Sequence, residues 1–119
     1  MTELHATVRD RDAGAVIDLR GDIDRAADAR LSAAYDEATL GRSQTVVLNF
    51  EPTDYVNSSG IALIVGLLAR ARADGVRLCA YGLSEHYREI FEITRLADYI
   101  TIADSEDIAV GGTQRSSDA

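Results

Sequence analysis

At 119 residues the chain is sized for one compact domain, and 46% hydrophobic with 27% charged residues is neither a disordered composition nor a membrane one. Twelve basic against twenty acidic residues give a formal net charge of -8, which repels phosphate backbones and anionic lipid and so argues against direct nucleic-acid binding. The single cysteine, Cys79, excludes an intramolecular disulfide, a zinc ribbon and a redox CxxC, and it fits a reducing cytoplasm.

In chain order, Leu4 to Val8 alternates roughly in apolar character, breaks over Arg9 to Gly14, and resumes at Ala15 to Leu19, predicting two strands around a polar turn with Gly21 ending the second. Asp22-Ile23-Asp24 then reads as a loop, with Asp24 as N-cap of a helix from Arg25 to Leu40 that Gly41 stops. Thr45 to Phe50 is a short β-branched run, apolar on successive positions, as expected of a central strand covered on both faces. Glu51 to Asn57 reads as a loop. A second helix is expected from Ser58 or Ser59 to Asp74, capped by a serine and closed by Gly75.

Val76 to Tyr81 predicts another strand, and Gly82 a turn. Ser84 to Ile93 carries Tyr87, Ile90 and Phe91 at helical spacing. Tyr99 to Ile102 reads as a short strand, and Asp104 to Val110 as a short terminal helix. Residues 111–119 are polar, small and expected to stay unordered, so the domain is placed at 1–110. The order β-β-α-β-α-β-α-β calls for an α/β (α+β) fold, a mixed four- to five-stranded sheet under helices. No basic leader region and no apolar run long enough to span a bilayer are present, so a soluble, cytoplasmic protein without membrane insertion is expected.

The chain is poor in catalytic signatures: it has no Walker loop, GxGxxG, HExxH or GxSxG. His5 and His86 are too few for a metal site, and nothing in spacing supports a Ser58, His86, Asp24 triad. Cys79 lies in a strand pattern and reads as a small core hydrophobe. No enzyme activity, metal or cofactor is therefore expected.

The informative stretch is Asp54 to Leu68. Two serines and a glycine stand where a loop becomes a helix, so a hydroxyl lies beside the unsatisfied N–H groups of a first helical turn, where a phosphate is well accommodated. The plain alternative is that one serine merely caps the helix. From Gly60 to Ala69 the helix carries no charge. With Ile61, Ile64 and Leu68 assigned to the core, Ala62, Leu63, Val65, Gly66 and Ala69 leave an apolar outer side for a partner or a second layer. Asp22, Asp24 and Asp54 are expected in loops at the same sheet edge as Asn57 and Ser58.

Together these segments resemble the STAS domain, and in particular the bacterial anti-sigma factor antagonists (anti-anti-sigma factors). The resemblance rests on Leu19-Arg20-Gly21-Asp22-Ile23-Asp24, on Val46 to Phe50 followed by Val56-Asn57-Ser58-Ser59-Gly60-Ile61, on Ala73 to Leu78, and on Phe91 to Leu96 with Tyr99 to Ile102. It covers about Leu4 to Val110. It implies a partner switch in transcription regulation and stress response, not a catalyst: the unphosphorylated antagonist binds a GHKL-type anti-sigma factor serine kinase, is phosphorylated by it, and is reset by a metal-dependent serine phosphatase. Matched by residue, Ser58 is the phosphoacceptor, Ser59 and Gly60 complete the loop, with the glycine admitting partner backbones, and Asp24 matches the acidic turn. The nucleotide and magnesium would belong to the kinase. Asn57 stands where the family usually has aspartate. Other roles left open are a non-phosphorylated adaptor subunit of a lipid or solute transport complex, a stress-signalling scaffold, and self-association as a weak homodimer.

Overall fold

The computed structural model describes residues 3–11, 14–40 and 44–110. The strands are β1 (His5–Arg11), β2 (Gly14–Ile23), β3 (Thr45–Asn49), β4 (Thr53–Val56), β5 (Arg77–Tyr81) and β6 (Thr101–Ala103). The helices are α1 (Asp28–Leu40), preceded by a 3-10 turn at Arg25–Ala27, α2 (Ser58–Asp74) and α3 (Glu85–Ile93), with a second 3-10 turn at Leu96–Asp98 and a helical turn at 106–110.

The strand order is β1-β2-β3-β5-β6, with β4 pairing β2 off this path. Among the described residues only β1–β2 is antiparallel. Each parallel step between β2, β3, β5 and β6 is made by a helical crossover, as parallel neighbours require. The expected α/β fold with a mixed sheet stands. The sheet has six strands rather than four or five, because Thr53–Val56, expected as loop, is a strand. Gly21 does not end β2, which runs on to Ile23, and β1 extends through Arg11 where a turn was expected from Arg9. The last strand begins at Thr101, after the 3-10 turn has used Tyr99. Gly41 and the segment 111–119 lie outside the described residues.

Period-two alternation divides the sheet into two faces. Ala15, Ile17 and Leu19 of β2, Val46 and Leu48 of β3, and Leu78 and Ala80 of β5 form the main core with Leu31, Tyr35 and Ala38 of α1, Ile64, Leu67 and Leu68 of α2, and Phe91 of α3. Phe50 and Phe91 meet edge to face, 6.1 Å between ring centroids. The helices are tied to each other by the buried Tyr35, whose hydroxyl donates to Asp74 at 2.8 Å while the Arg70 guanidinium lies 4.5 Å from its ring centroid. Burial, reinforced by the Asp74 carboxylate, pushes the Tyr35 phenol up to about 12.

The opposite face carries a smaller apolar cluster of Val16, Val47, Cys79, Tyr81, Ala103 and Ala109. Cys79 is a buried thiol in it, as its strand pattern predicts. A charge cluster borders these residues. Arg9 grips Asp18 at 2.6 and 2.8 Å and donates to Glu106 at 2.7 Å. Arg11 also reaches Glu106, the Tyr81 hydroxyl donates to it at 2.7 Å, and Asn49 donates to Asp18 at 2.7 Å.

Arg9 is the largest cause holding the Glu106 carboxyl at about 2 against an ordinary value of 4.5, and it lowers Asp18 as well. A carboxylate depressed in the folded state stabilises the fold above its unfolded pKa and loses that contribution as pH falls through the folded one. Urea unfolding of the wild type is therefore expected to lose stability from about pH 4.5 downward. Glu106→Gln is expected to be less stable at neutral pH and to show a shallower loss on acidification; parallel pH profiles for the two proteins would show that the cluster does not form.

Candidate functional site

The site is built where β2 changes partners. Through Asp18↔Asn49 it pairs with β3; Gly21, at φ 108°, then adopts a conformation that residues with a Cβ avoid, and the register shifts between Gly21 and Asp22. Beyond this bulge β2 pairs with β4, Asp22 opposite Tyr55 and Ile23 opposite Val56. Gly21 N–H donates to the Pro52 carbonyl at 3.3 Å and the Thr53 hydroxyl to the Leu19 carbonyl at 2.7 Å, which locks the short strand in place. From α3, the Tyr87 hydroxyl accepts the Val56 N–H at 3.0 Å.

Immediately beyond, Asn57 N–H donates to the Ile23 carbonyl at 3.2 Å, and the Asn57 side chain becomes the N-cap of α2, its Oδ1 accepting the Gly60 N–H at 2.8 Å. The cap is thus the asparagine and not a serine. Ser58 and Ser59 occupy the first two helical positions, Ser58 exposed and Ser59 half-buried. Among the described residues the Ser58 hydroxyl has no hydrogen-bond partner. One first-turn N–H is taken by Asn57; the helix itself supplies no acceptor for the others, and that end carries the positive pole of the helix dipole.

Gly60 is the constraint that sets this geometry. A Cβ there would lie 2.0 Å from the Ile23 carbonyl oxygen and 2.8 Å from its carbon. The glycine is buried and needed by the chain's own β2, which is a different reason from the partner approach expected of it. Ile23 leads directly into Asp24, whose carboxylate caps the 3-10 turn by accepting the Ala26 N–H at 3.0 Å.

Asp22, near the end of β2, and Asp24 just beyond it lie at the sheet edge where Asn57 meets Ile23; Asp22 and Asp54, expected in loops, lie in strands β2 and β4, with Asp54 exposed. The imagined triad is not assembled: Asp24 is engaged as a cap, and His86 lies exposed on α3 with its ring 5.1 Å from that of Tyr87.

Along α2, Ile64, Leu67, Leu68 and Ala71 turn inward, with Ile61 half-buried beside them. Ala62, Val65 and Gly66 are exposed, Val65 at 45%. A Cβ at Gly66 would meet nothing within 4 Å. Leu63, expected on the outer side, is half-buried against the core instead. The structure adds Tyr55, 55% exposed on β4 and opposite Asp22. Its outward direction follows from period-two alternation with buried Val56, a signal hidden as long as the segment reads as loop.

The model of the family described as Mlab, STAS domain matches residues 6–103. The chain belongs to the STAS domain family. Among curated relatives of this STAS chain, the anti-sigma-B factor antagonists of Listeria monocytogenes and Listeria innocua are each 26% identical over 100 residues, covering 83% of this chain and 88% of theirs. The fold is shared with the anti-sigma factor antagonist SpoIIAA in its unphosphorylated form, at a TM-score of 0.70 and 22% identity over 93% of this chain and 98% of that one. It is also shared with an anti-sigma factor antagonist from Mycobacterium paratuberculosis, at a TM-score of 0.79 and 15% identity over 94% and 95%.

Two substitutions separate the roles of this STAS loop. Gly60→Ala forces the start of α2 off the Ile23 carbonyl and is expected to cost about 1–3 kcal/mol, the range of an overpacked site, or more because the obstacle is backbone. Asn57→Ala removes only the cap and is expected to cost about 1 kcal/mol. Denaturant midpoints at constant m-value check both; a Gly60→Ala protein as stable as wild type would mean that α2 does not lie this close to β2.

Proposed function

We propose that the chain is a cytoplasmic anti-sigma factor antagonist that works as a phosphorylation-controlled partner switch, with Ser58 as phosphoacceptor. The observation that carries the proposal is the position of Ser58: exposed, at the first residue of an Asn57-capped helix, on the rim of the uncharged face formed by Ala62, Val65 and Gly66. The Listeria relatives named as anti-sigma-B factor antagonists support it.

In this reading the anti-sigma factor is a GHKL-type serine kinase that docks over Ser58, Ser59 and the outer side of α2 while Ser58 is unmodified. It supplies the nucleotide and metal for transfer to the hydroxyl. Phosphorylation adds about -1.5 to -2 charge beside Asp22 and Asp24. The helix dipole and free first-turn N–H groups stabilise that charge in the free protein, whereas burying it under a partner would strip its water without supplying cations. The modified form therefore dissociates. A metal-dependent serine phosphatase resets it.

Asn57 tunes this balance. Its Oδ1 accepts the Gly60 N–H as an aspartate oxygen would, so the loop geometry needs no negative charge at 57, and the phosphoryl group is spared one repulsion. The neutral residue, with the open apolar helix face, also supports a second reading in which the domain is a non-phosphorylated adaptor in a transport complex or scaffold.

Pull-down from native lysate with wild-type, Ser58→Ala and Ser58→Asp baits separates the two. The switch predicts recovery of a serine-kinase anti-sigma factor by wild type and Ser58→Ala, a phosphopeptide spanning Ser58 in the wild type alone, and at least about tenfold weaker recovery by Ser58→Asp, equivalent to about 1.4 kcal/mol. Equal recovery of a transport or scaffold complex by all three baits would replace the switch with the adaptor.

A further inference from the structure

We infer that the sheet face opposite α2 is a second docking surface, shaped for an acidic amphipathic segment of a partner protein, and that residues 106–110 of the chain occupy it in cis. The floor of this surface is apolar: Val16, Val47, Cys79 and Ala103. Its rim is formed by Arg9 and Arg11 of the edge strand β1, Arg9 also holding Asp18 of β2, which leaves one net positive charge there for an acidic segment. The terminal turn fits both features. Glu106 accepts from Arg9, Arg11 and the Tyr81 hydroxyl, Asp107 accepts from Arg11 at 3.0 Å, and Ala109, three residues after Glu106, is 1% exposed on the apolar floor. Ile108 points outward, 41% exposed. A carboxylate followed at the third position by a small apolar residue is the pattern that the surface reads.

A helical turn of this length has no stability of its own and persists only through these contacts. They are ion pairs on half-exposed arginines, the Tyr81 hydroxyl bond, the buried Ala109 methyl and a half-buried Val110, a small set of contacts of the kind that opens locally before the rest of a domain. The surface is also longer than its occupant. Beyond Arg9 and Asp18 it continues as an open trough along His5, Thr7, Arg20 and Asn49, with Glu51 and Pro52 on the remaining wall, so its cationic part is the His5 and Arg20 side. A longer acidic segment would reach His5 and Arg20, which residues 106–110 do not touch among the described contacts. The tethered segment competes as an intramolecular ligand, so a partner binds only as the turn lifts.

The test uses the full chain and a fluorescent peptide copying residues 104–110, acetyl-Asp-Ser-Glu-Asp-Ile-Ala-Val-amide. Glu106→Ala is expected to bind the peptide about tenfold more tightly than wild type and to expose Cys79 to a thiol reagent about tenfold faster, with added peptide restoring protection. A peptide with lysine for its glutamate is expected not to bind. In the unmodified chain, raising salt from about 0.05 to about 0.5 M is expected to speed Cys79 labelling, because screening weakens the rim, and this measurement holds even if the variant fails to fold. Peptide that binds neither protein, or Cys79 labelling indifferent to both salt and peptide, overturns the proposal and makes the turn a permanent part of the core.

Discussion

Everything at the candidate site hangs on the contact between Gly60 and the carbonyl of Ile23. No side chain fits between them, so the first turn of α2 lies directly on the end of β2. Two further links hold the same junction: Asn57 N–H on the Ile23 carbonyl from one side and Oδ1 on the Gly60 N–H from the other. Strand end, cap and helix start form one rigid unit, which presents Ser58 outward and keeps Asp24 one residue beyond the shared carbonyl. Under the proposed function, a hydroxyl held this way would need no rearrangement to meet a partner, and a phosphate added there would act through its charge and the cost of desolvating it, not through a change of fold.

The bulge at Gly21 is what makes the junction possible. A straight β2 would spend its whole length on β3; the positive φ turns its last residues away to pair with β4, and β4 delivers Asn57 alongside Ile23. Tyr87 ties β4 to α3 by accepting the Val56 N–H. The two faces of the sheet then differ in chemistry. One is a continuous apolar core roofed by three helices, and the other is a small apolar patch ringed by arginines and carboxylates under a single helical turn. The first supplies most of the buried apolar core, and the second leaves a face whose small cover is held by charge together with Ala109 and Val110.

Much of this was legible before any fold was known. The alternation of Ala15 to Leu19, the short β-branched run at Thr45 to Phe50, and the helical spacing of Tyr87, Ile90 and Phe91 each announce their element, because burial on one face leaves a period in the chain and burial on both faces leaves a short continuous apolar run. Asp24 and Gly75 mark helix ends by chemistry that depends on few neighbours. The strand β4 was not legible, since Glu51-Pro52-Thr53-Asp54-Tyr55 has turn composition and only one buried residue, Val56, over its four strand positions. Its pairing is imposed by β2. The cap was misplaced by one residue for a related reason: serine and asparagine are equally good N-caps, and the choice was made by the backbone reaching Ile23 at Asn57.

The sequence by itself determined the order of elements other than β4, the family, the uncharged helix and the serines at its start, all of which are local properties or one-dimensional patterns. The tertiary structure decided which atoms meet: that Gly60 serves the chain's own β2, that Asn57 caps while Ser58 stays exposed, that Leu63 turns inward, and that Arg9, Arg11 and Tyr81 gather around Glu106. The division has one physical cause. Hydrophobic periodicity and capping act over a few residues and are written along the chain, whereas a backbone contact 37 residues apart, as between Ile23 and Gly60, or an ion pair between Arg9 and Glu106, exists only once the strands have taken their register.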